Sequence, residues 1–146
     1  MANAFAHCEL STTDVAQSKK FYNSVFSWKL SDVKGMPYTM IDVGTGVGGG
    51  MQKVMMPGQP TAWMPYVQVD DVKKSLAKVK KAGGKVVVDF QSLGEMGALG
   101  VFVDPAGAAL GIWESAKKAP KKAAAKKVAA RKPAATTKKK AAKKKA

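Results

Sequence analysis

The chain has 146 residues, with 25 Lys and Arg against 10 Asp and Glu, for a formal net charge of +15. A single Cys excludes an internal disulfide and a cysteine-based zinc cluster, and no run of 18 apolar residues predicts a transmembrane helix. Because the first residues lack the basic and apolar segments of a secretory signal, we expect a cytoplasmic protein.

The positive charge is concentrated at one end of the chain. Residues 116–146 contain thirteen Lys, one Arg and no acid, so they carry +14, whereas residues 1–115 carry a net +1. Of these 31 terminal residues, 26 are Lys, Arg or Ala. Such a segment cannot bury enough apolar surface to offset its chain entropy. We therefore expect one globular domain over residues 1–115 and a disordered tail over 116–146.

Two copies of one pattern fill the globular part. Asp14 and Asp71 lie 57 residues apart, and each stands between a short alternating run and a helical pattern. Both are therefore predicted helix N-caps. Three strand-like runs follow each helix, so the sequence predicts an α+β fold of two βαβββ modules, at about residues 5–54 and 63–115, joined by a linker at Met55–Ala62.

The two predicted helices differ in how regularly their apolar residues are spaced. The second places Val72, Leu76 and Val79 on one face, with lysines on the other faces, and Gly83-Gly84 ends it. The first is less regular, and its expected apolar face is Val15, Tyr22, Val25 and Phe26. The six later strands are predicted at Lys29–Val33, Tyr38–Val43, Val47–Met51, Lys85–Phe90, Leu99–Val103 and Ala108–Glu114.

Period-two alternation along the strands assigns the side chains to two faces. In the first strand, Cys8 and Leu10 face the helix, while His7 and Glu9 face a cleft shared by the two modules. The same rule directs five further residues to the cleft: Met64, Tyr66, Gln68, Gly111 and Trp113.

Several segments, in this order and spacing, resemble the vicinal-oxygen-chelate superfamily, which includes glyoxalase (lactoylglutathione lyase), bleomycin-resistance proteins and extradiol dioxygenases. The resemblance covers about residues 5–115. The segments that carry it are His7-Cys8-Glu9-Leu10-Ser11-Thr12-Thr13-Asp14, Lys20-Phe21-Tyr22, Phe26-Ser27-Trp28, Gly48-Gly49-Gly50-Met51, Pro65-Tyr66-Val67-Gln68-Val69-Asp70-Asp71-Val72, Ala82-Gly83-Gly84 and Asp104-Pro105-Ala106-Gly107. It implies a paired βαβββ fold around a cleft and a homodimer.

The resemblance also implies four metal-ligand positions. In this sequence they fall on His7, Met64, Gly49 or Gly50, and Gly111. Only His7 binds a divalent metal strongly, and a catalytic site needs about three N or O ligands. Glu9, on the same face, offers one more donor. We therefore expect no cofactor, disfavour a divalent metal, and expect the two glycine positions to open space in the cleft.

An apolar and aromatic cleft with few polar groups suits a small organic molecule. We predict that Met64, Tyr66, Gln68, Gly111 and Trp113 bind it. The alternative is an enzyme of the lactoylglutathione-lyase or dioxygenase type, in which His7 and Glu9 are catalytic. A purely structural role for His7 stays open as well.

The tail resembles the Lys/Ala-rich tails of linker histones and bacterial histone-like proteins. Flexible cations release counterions from a polyanion, so we predict non-specific binding to DNA or RNA rather than to a membrane. The alternatives are a tail that serves solubility only, a tail that binds an anionic membrane or polyphosphate, and a nucleoid-associated protein whose body is a dimeric anchor. The predicted contacts are Lys117, Lys118, Lys121, Lys122, Lys126, Lys127, Arg131, Lys132, Lys138, Lys139, Lys140, Lys143, Lys144 and Lys145.

Overall fold

A computed structural model describes residues 2–116, so the predictions for Lys117–Lys145 lie outside the described residues. The described chain confirms two βαβββ modules, and a short 3-10 turn at Gly94–Met96 interrupts the second. The elements are β1 (Phe5–Thr12), α1 (Val15–Val25), β2 (Lys29–Asp32), β3 (Tyr38–Asp42), β4 (Gly49–Lys53), β5 (Ala62–Gln68), α2 (Val72–Lys81), β6 (Lys85–Ser92), β7 (Ala98–Val103) and β8 (Ala109–Glu114). Within residues 2–116, neither helix has the length and apolar character that a bilayer crossing requires.

The eight strands form one mixed sheet in the order β2-β3-β4-β1-β5-β8-β7-β6. The modules meet at the antiparallel pair β1–β5, in which His7 lies opposite Tyr66 and Glu9 lies opposite Met64. Each of these central strands also pairs in parallel with the last strand of its own module. The two modules are therefore arranged alike about the centre of the sheet.

The second helix packs as its sequence predicts. The Asp71 carboxylate accepts a hydrogen bond from the backbone N–H of Lys74 at 2.9 Å, which caps the first turn. Val72 and Leu76 are buried in a cluster with Ala98 and Ile112. Gly83, with a φ of 85°, ends the helix in the left-handed region that favours glycine.

The first helix is capped in the same way but packs differently. The Asp14 carboxylate accepts from the backbone N–H of Gln17 at 2.9 Å. Tyr22 packs against the cluster around Leu10, yet α1 contains no fully buried residue. The expected apolar face is confirmed only in part: Val25 is 53% exposed, whereas the Phe26 ring, although 44% exposed, stacks with the rings of Tyr22 and Trp28. The helix ends at Val25, so Phe26 already belongs to the extended chain.

Candidate functional site

The face of the sheet opposite the helices carries the candidate site. Its side chains come from neighbouring strands near the β1–β5 centre of the sheet. Glu9 lies in register between Gly50 of β4 and Met64 of β5. His7 lies two residues before Glu9 on the same face of β1, and it neighbours Tyr66 across the β1–β5 pair. The predicted assignment of His7, Glu9 and Tyr66 to one face is thus what the strand register produces.

Glu9 is the centre of a hydrogen-bond cluster. Its Oε1 accepts from the Gln52 side-chain amide at 2.9 Å and from the Tyr66 hydroxyl at 3.3 Å. Its Oε2 accepts from the Tyr38 hydroxyl at 3.2 Å. The carboxylate is only half-buried, so three donors converge on an anion that still faces the cleft.

Tyr38 links this cluster to the imidazole. The His7 Nε2 atom lies 2.7 Å from the Tyr38 hydroxyl oxygen. When Tyr38 donates its proton to Glu9, His7 must carry its proton on Nε2 and donate to Tyr38. The three groups then form one chain of hydrogen bonds that joins a neutral base to a carboxylate.

Burial sets the protonation of these groups. Desolvation lowers the pKa of His7 below its ordinary 6.5, although the charge of Glu9 acts in the opposite direction. Burial is also the main cause that raises the pKa of Tyr38 and of Tyr66, and the nearby Glu9 carboxylate adds to it. At neutral pH the cleft therefore presents neutral imidazole and two phenolic donors.

The two glycine positions do not open the cleft, which corrects the expectation from the sequence. A methyl group at Gly50 would overlap the Tyr38 hydroxyl, and one at Gly111 would overlap the Tyr66 ring. Each glycine packs directly against the side chain of a tyrosine from a neighbouring strand. The space that a metal-binding side chain would occupy at each position is filled by the phenol of Tyr38 or Tyr66, which donates to Glu9.

The remaining predicted residues lie around this cluster at different distances from Glu9. Met64 is the cross-strand neighbour of Glu9 and is half-buried. Trp113 and Gln68 are paired in the β5–β8 register, further along the strands. Gln68 is exposed, and its side-chain amide donates to the Ser115 hydroxyl at 3.3 Å. Ligand binding by any of these residues stays a prediction.

Sequence reasoning missed Tyr38 and Gln52. Both alternate with buried neighbours, Thr39 and Met51, so period-two alternation within β3 and β4 places them on the cleft face. That signal was present in the sequence. Their meeting with Glu9, however, depends on the order of the strands in the sheet.

The donor set does not fit the four-ligand metal site that the superfamily resemblance implies. His7 and Glu9 supply two donors, Met64 offers a thioether, and the other positions are glycines under tyrosine rings. Residues 2–116 contain no cluster of three or more His, Cys, Asp or Glu side chains that could hold a metal ion. We therefore derive no chemical step through a metal.

The opposite face of the first module holds a separate apolar pocket of about 240 Å³. Trp28 and Trp63 flank it, with ring centroids 6.2 Å apart. Cys8, predicted to face the helix, does lie on this face and lines the pocket. The pocket exists because α1 leaves part of the sheet uncovered.

Comparison with known proteins agrees with this architecture. The family model of the Glyoxalase/Bleomycin resistance protein/Dioxygenase superfamily matches residues 4–112. The chain belongs to that superfamily.

Two curated relatives match this chain over only part of their own length. "Putative glyoxylase CFP32" of Mycobacterium tuberculosis is 35% identical in an alignment of length 115 that covers 73% of this chain and 44% of the relative. "Anthracycline biosynthesis protein DnrV" of Streptomyces peucetius is 28% identical in an alignment of length 122 that covers 72% of this chain and 44% of the relative. The chain thus spans less than half the length of these curated relatives.

A solved superfamily member from Vibrio splendidus has the same fold. Its TM-score is 0.55 at 14% sequence identity, and the alignment covers 78% of this chain and 99% of that one. The likeness at this identity concerns the fold alone, and it agrees with the mixed α+β sheet described above.

Proposed function

We propose that the cleft binds a small organic molecule, without a tightly held metal, through the cluster centred on Glu9. The observation that supports this most is the convergence of three donors on one half-exposed carboxylate. The O–H bonds of Tyr38 and Tyr66 can rotate from Glu9 to a ligand oxygen, and Glu9 can accept from a ligand hydroxyl or amine. Met64 adds an adaptable apolar wall beside these polar groups.

The names in the superfamily suggest two probes. Metal-free bleomycin and an anthracycline are both polycyclic or heteroaromatic molecules with many hydroxyl and amine groups. Titration of the full chain with each, followed by calorimetry, is expected to show saturable binding to at least one. Binding of neither probe at millimolar concentration would contradict this class of ligand.

A matched pair of variants locates the binding. Glu9→Gln removes the central charge and leaves the three donors without their anion, so affinity should fall at least about tenfold, since a charge-assisted hydrogen bond contributes about 1.5–3 kcal/mol. Glu95→Gln makes the same change of charge on the exposed 3-10 turn and should leave affinity unchanged. Equal affinity of the two variants would place the ligand elsewhere.

A second candidate is metal-free acid–base catalysis. The contact of 2.7 Å between His7 and Tyr38, together with the link from Tyr38 to Glu9, supports proton transfer between two bases through a phenol. The test is formation of S-lactoylglutathione from methylglyoxal and glutathione by protein kept in a chelator. Activity that disappears in His7→Ala would favour the enzyme, whereas activity restored only by added metal would contradict a metal-free mechanism.

We further propose that the tail, residues 116–146, binds DNA or RNA non-specifically and attaches a dimeric body to the nucleoid. Its charge of +14 without a single acid supports this. If about eight phosphates are neutralised, the log–log salt dependence of binding to a 20-base-pair duplex should have a slope of about −7. Sedimentation of the full chain tests the dimer separately.

Deletion of residues 117–146 tests the role of the tail. Both apolar clusters and both helix caps lie within residues 2–116, so the truncated chain keeps the packing of the domain. Circular dichroism checks its folding. Duplex affinity and salt slope that survive the truncation unchanged would contradict the proposed role.

A further inference from the structure

The positive charge of the globular body is also unevenly distributed. Residues 2–116 contain eleven basic side chains, and six of them lie between Lys73 and Lys85. No acid occurs between Asp71 and Asp89. Although the body is close to neutral as a whole, its second helix and the start of β6 form a local concentration of cations.

Helical spacing arranges these lysines in rows. Lys74, Lys78 and Lys81 are separated by four and three residues, so they form one stripe along α2, with steps of about 6 and 4.5 Å along the axis. On the opposite side, Val72 and Leu76 face the sheet and are buried. The stripe therefore faces away from the body, and all three of its lysines are exposed. We call Lys74, Lys78 and Lys81 the lysine stripe.

Most other lysines of this region have partners on the body. Lys73 lies over the ring of Phe90 at 4.5 Å, and the Lys80 ammonium is 3.8 Å from an Asp89 oxygen. In the lysine stripe, Lys74 lies 3.6 Å from an oxygen of Asp71. Lys78 and Lys81 form no ion pair with any residue in the range 2–116.

A solvated helix face would tolerate these charges at a small cost. Lysines three or four residues apart repel each other by about 0.2–0.5 kcal/mol per pair. Cations in the last turn also interact favourably with the helix dipole, which offsets part of that repulsion. Neither effect requires three cations in a row facing outward, whereas a row of phosphates would use all three.

The end of β8 connects this surface with the tail, which follows it in the sequence. The Glu114 carboxylate, the last residue of β8, accepts a hydrogen bond from the backbone N–H of Val72 at 3.0 Å. The Glu114 side chain therefore contacts the N-terminal end of α2, and Ala116 follows two residues later beside Gly97. A polyanion held by the segment that follows would be brought to the end of the lysine stripe.

The burial of the apolar face of α2 favours nucleic acid over a membrane as the partner. An interfacial helix must insert its apolar face into lipid. In α2 that face is already buried, since Val72 and Leu76 are 0% and 2% exposed. The exposed surface can therefore make contacts with phosphates but cannot enter the acyl region.

We propose that the lysine stripe of α2 is a phosphate-contacting surface for duplex nucleic acid, which orients the body on a polymer. The proposal rests on nucleic-acid binding as part of the proposed function, and it adds a site within the folded domain. Because lysines that contact phosphates carry no sequence information, the stripe contributes affinity and orientation without base specificity.

The test compares two triple variants of the full chain at equal net charge. One carries Lys74→Gln, Lys78→Gln and Lys81→Gln, since glutamine keeps the helical propensity of lysine. The control carries Lys20→Gln, Lys29→Gln and Lys34→Gln, which lie in the first module, toward the other edge of the sheet, and are exposed. Both bind a 20-base-pair duplex over a series of salt concentrations, and circular dichroism verifies folding.

The lysine-stripe variant should lose roughly tenfold or more in affinity at 0.1 M salt, and its log–log slope should become shallower by about 2 to 3. The control should lose less than about threefold in affinity. Equal losses in the two variants would overturn the proposal, because they would report net charge alone. A stripe variant that loses binding to phosphatidylserine vesicles but not to duplex would overturn it as well.

Failure of the tail proposal gives a different result. If the chain without residues 117–146 keeps duplex binding that the lysine-stripe substitutions remove, the stripe is supported and the role of the tail is contradicted. If the full chain binds duplex and the stripe variant matches the control, the tail proposal survives and the stripe does not.

Discussion

The two modules have the same topology but different packing. The position equivalent to Leu76 in the second helix, 57 residues earlier, is Lys19. Leu76 is 2% exposed and packs in the core, whereas Lys19 forms an ion pair with Asp32 at the surface. The second helix thus buries an apolar residue at a position where the first carries a surface lysine, and the first module has an apolar pocket between Trp28 and Trp63.

The cleft face shows a second difference between the modules. Tyr66 over Gly111 is 6% exposed, while Tyr38 over Gly50 is only half-buried and bonds His7 at its tip. The second module therefore supplies the more deeply buried tyrosine of the pair, and the first supplies the more accessible one.

The largest expected effect is on the free energy of unfolding, and it differs between the two helices. Leu76→Ala should lower the free energy of unfolding by about 2–5 kcal/mol, because it leaves a cavity under α2. Lys19→Ala, the matched change in α1, should have a far smaller effect. Urea denaturation of both variants measures the difference, and similar losses would contradict the asymmetric packing.

The next effect compares the two glycines. Gly111→Ala should cost about 1–3 kcal/mol, because the buried Tyr66 ring cannot move away from an added methyl group. Gly50→Ala should cost less, because the half-buried Tyr38 can move toward the open side of the cleft, where it loses its hydrogen bonds to His7 and Glu9. Its main consequence should be weaker binding of the cleft ligand. Equal destabilisation would show that Tyr38 is as rigid as Tyr66.

The smallest effect concerns pH. The pKa of His7 is lower in the folded protein than its ordinary 6.5, so the unfolded chain takes up a proton first as the pH falls. The contribution of His7 to stability should therefore decrease from about pH 6.5 down to its lowered folded value, and stay constant below that. His7→Gln should flatten the dependence of the urea midpoint on pH in this window. A variant with the same slope as the original chain would assign the dependence to other groups.

Local pattern predicted much of the molecule. Asp14 and Asp71 cap their helices as expected, because capping needs only a side chain and the next turn of the same segment. The faces of His7, Glu9 and Tyr66 followed from alternation, which is also a local property. The helical pattern did not predict that α1 ends at Val25, so Phe26 reaches the ring of Tyr22 from the extended chain and not from the helix.

The sequence by itself determined the repeat, the helix caps, the facing of the strands and the separation of charge, since each follows from residues close together along the chain. Only the tertiary structure decided that Tyr38 and Gln52 reach Glu9 and that tyrosine rings cover Gly50 and Gly111. These contacts join strands far apart in sequence, and their partners are set by the order of strands in the sheet. Side-chain periodicity specifies a face, but not the neighbour across it.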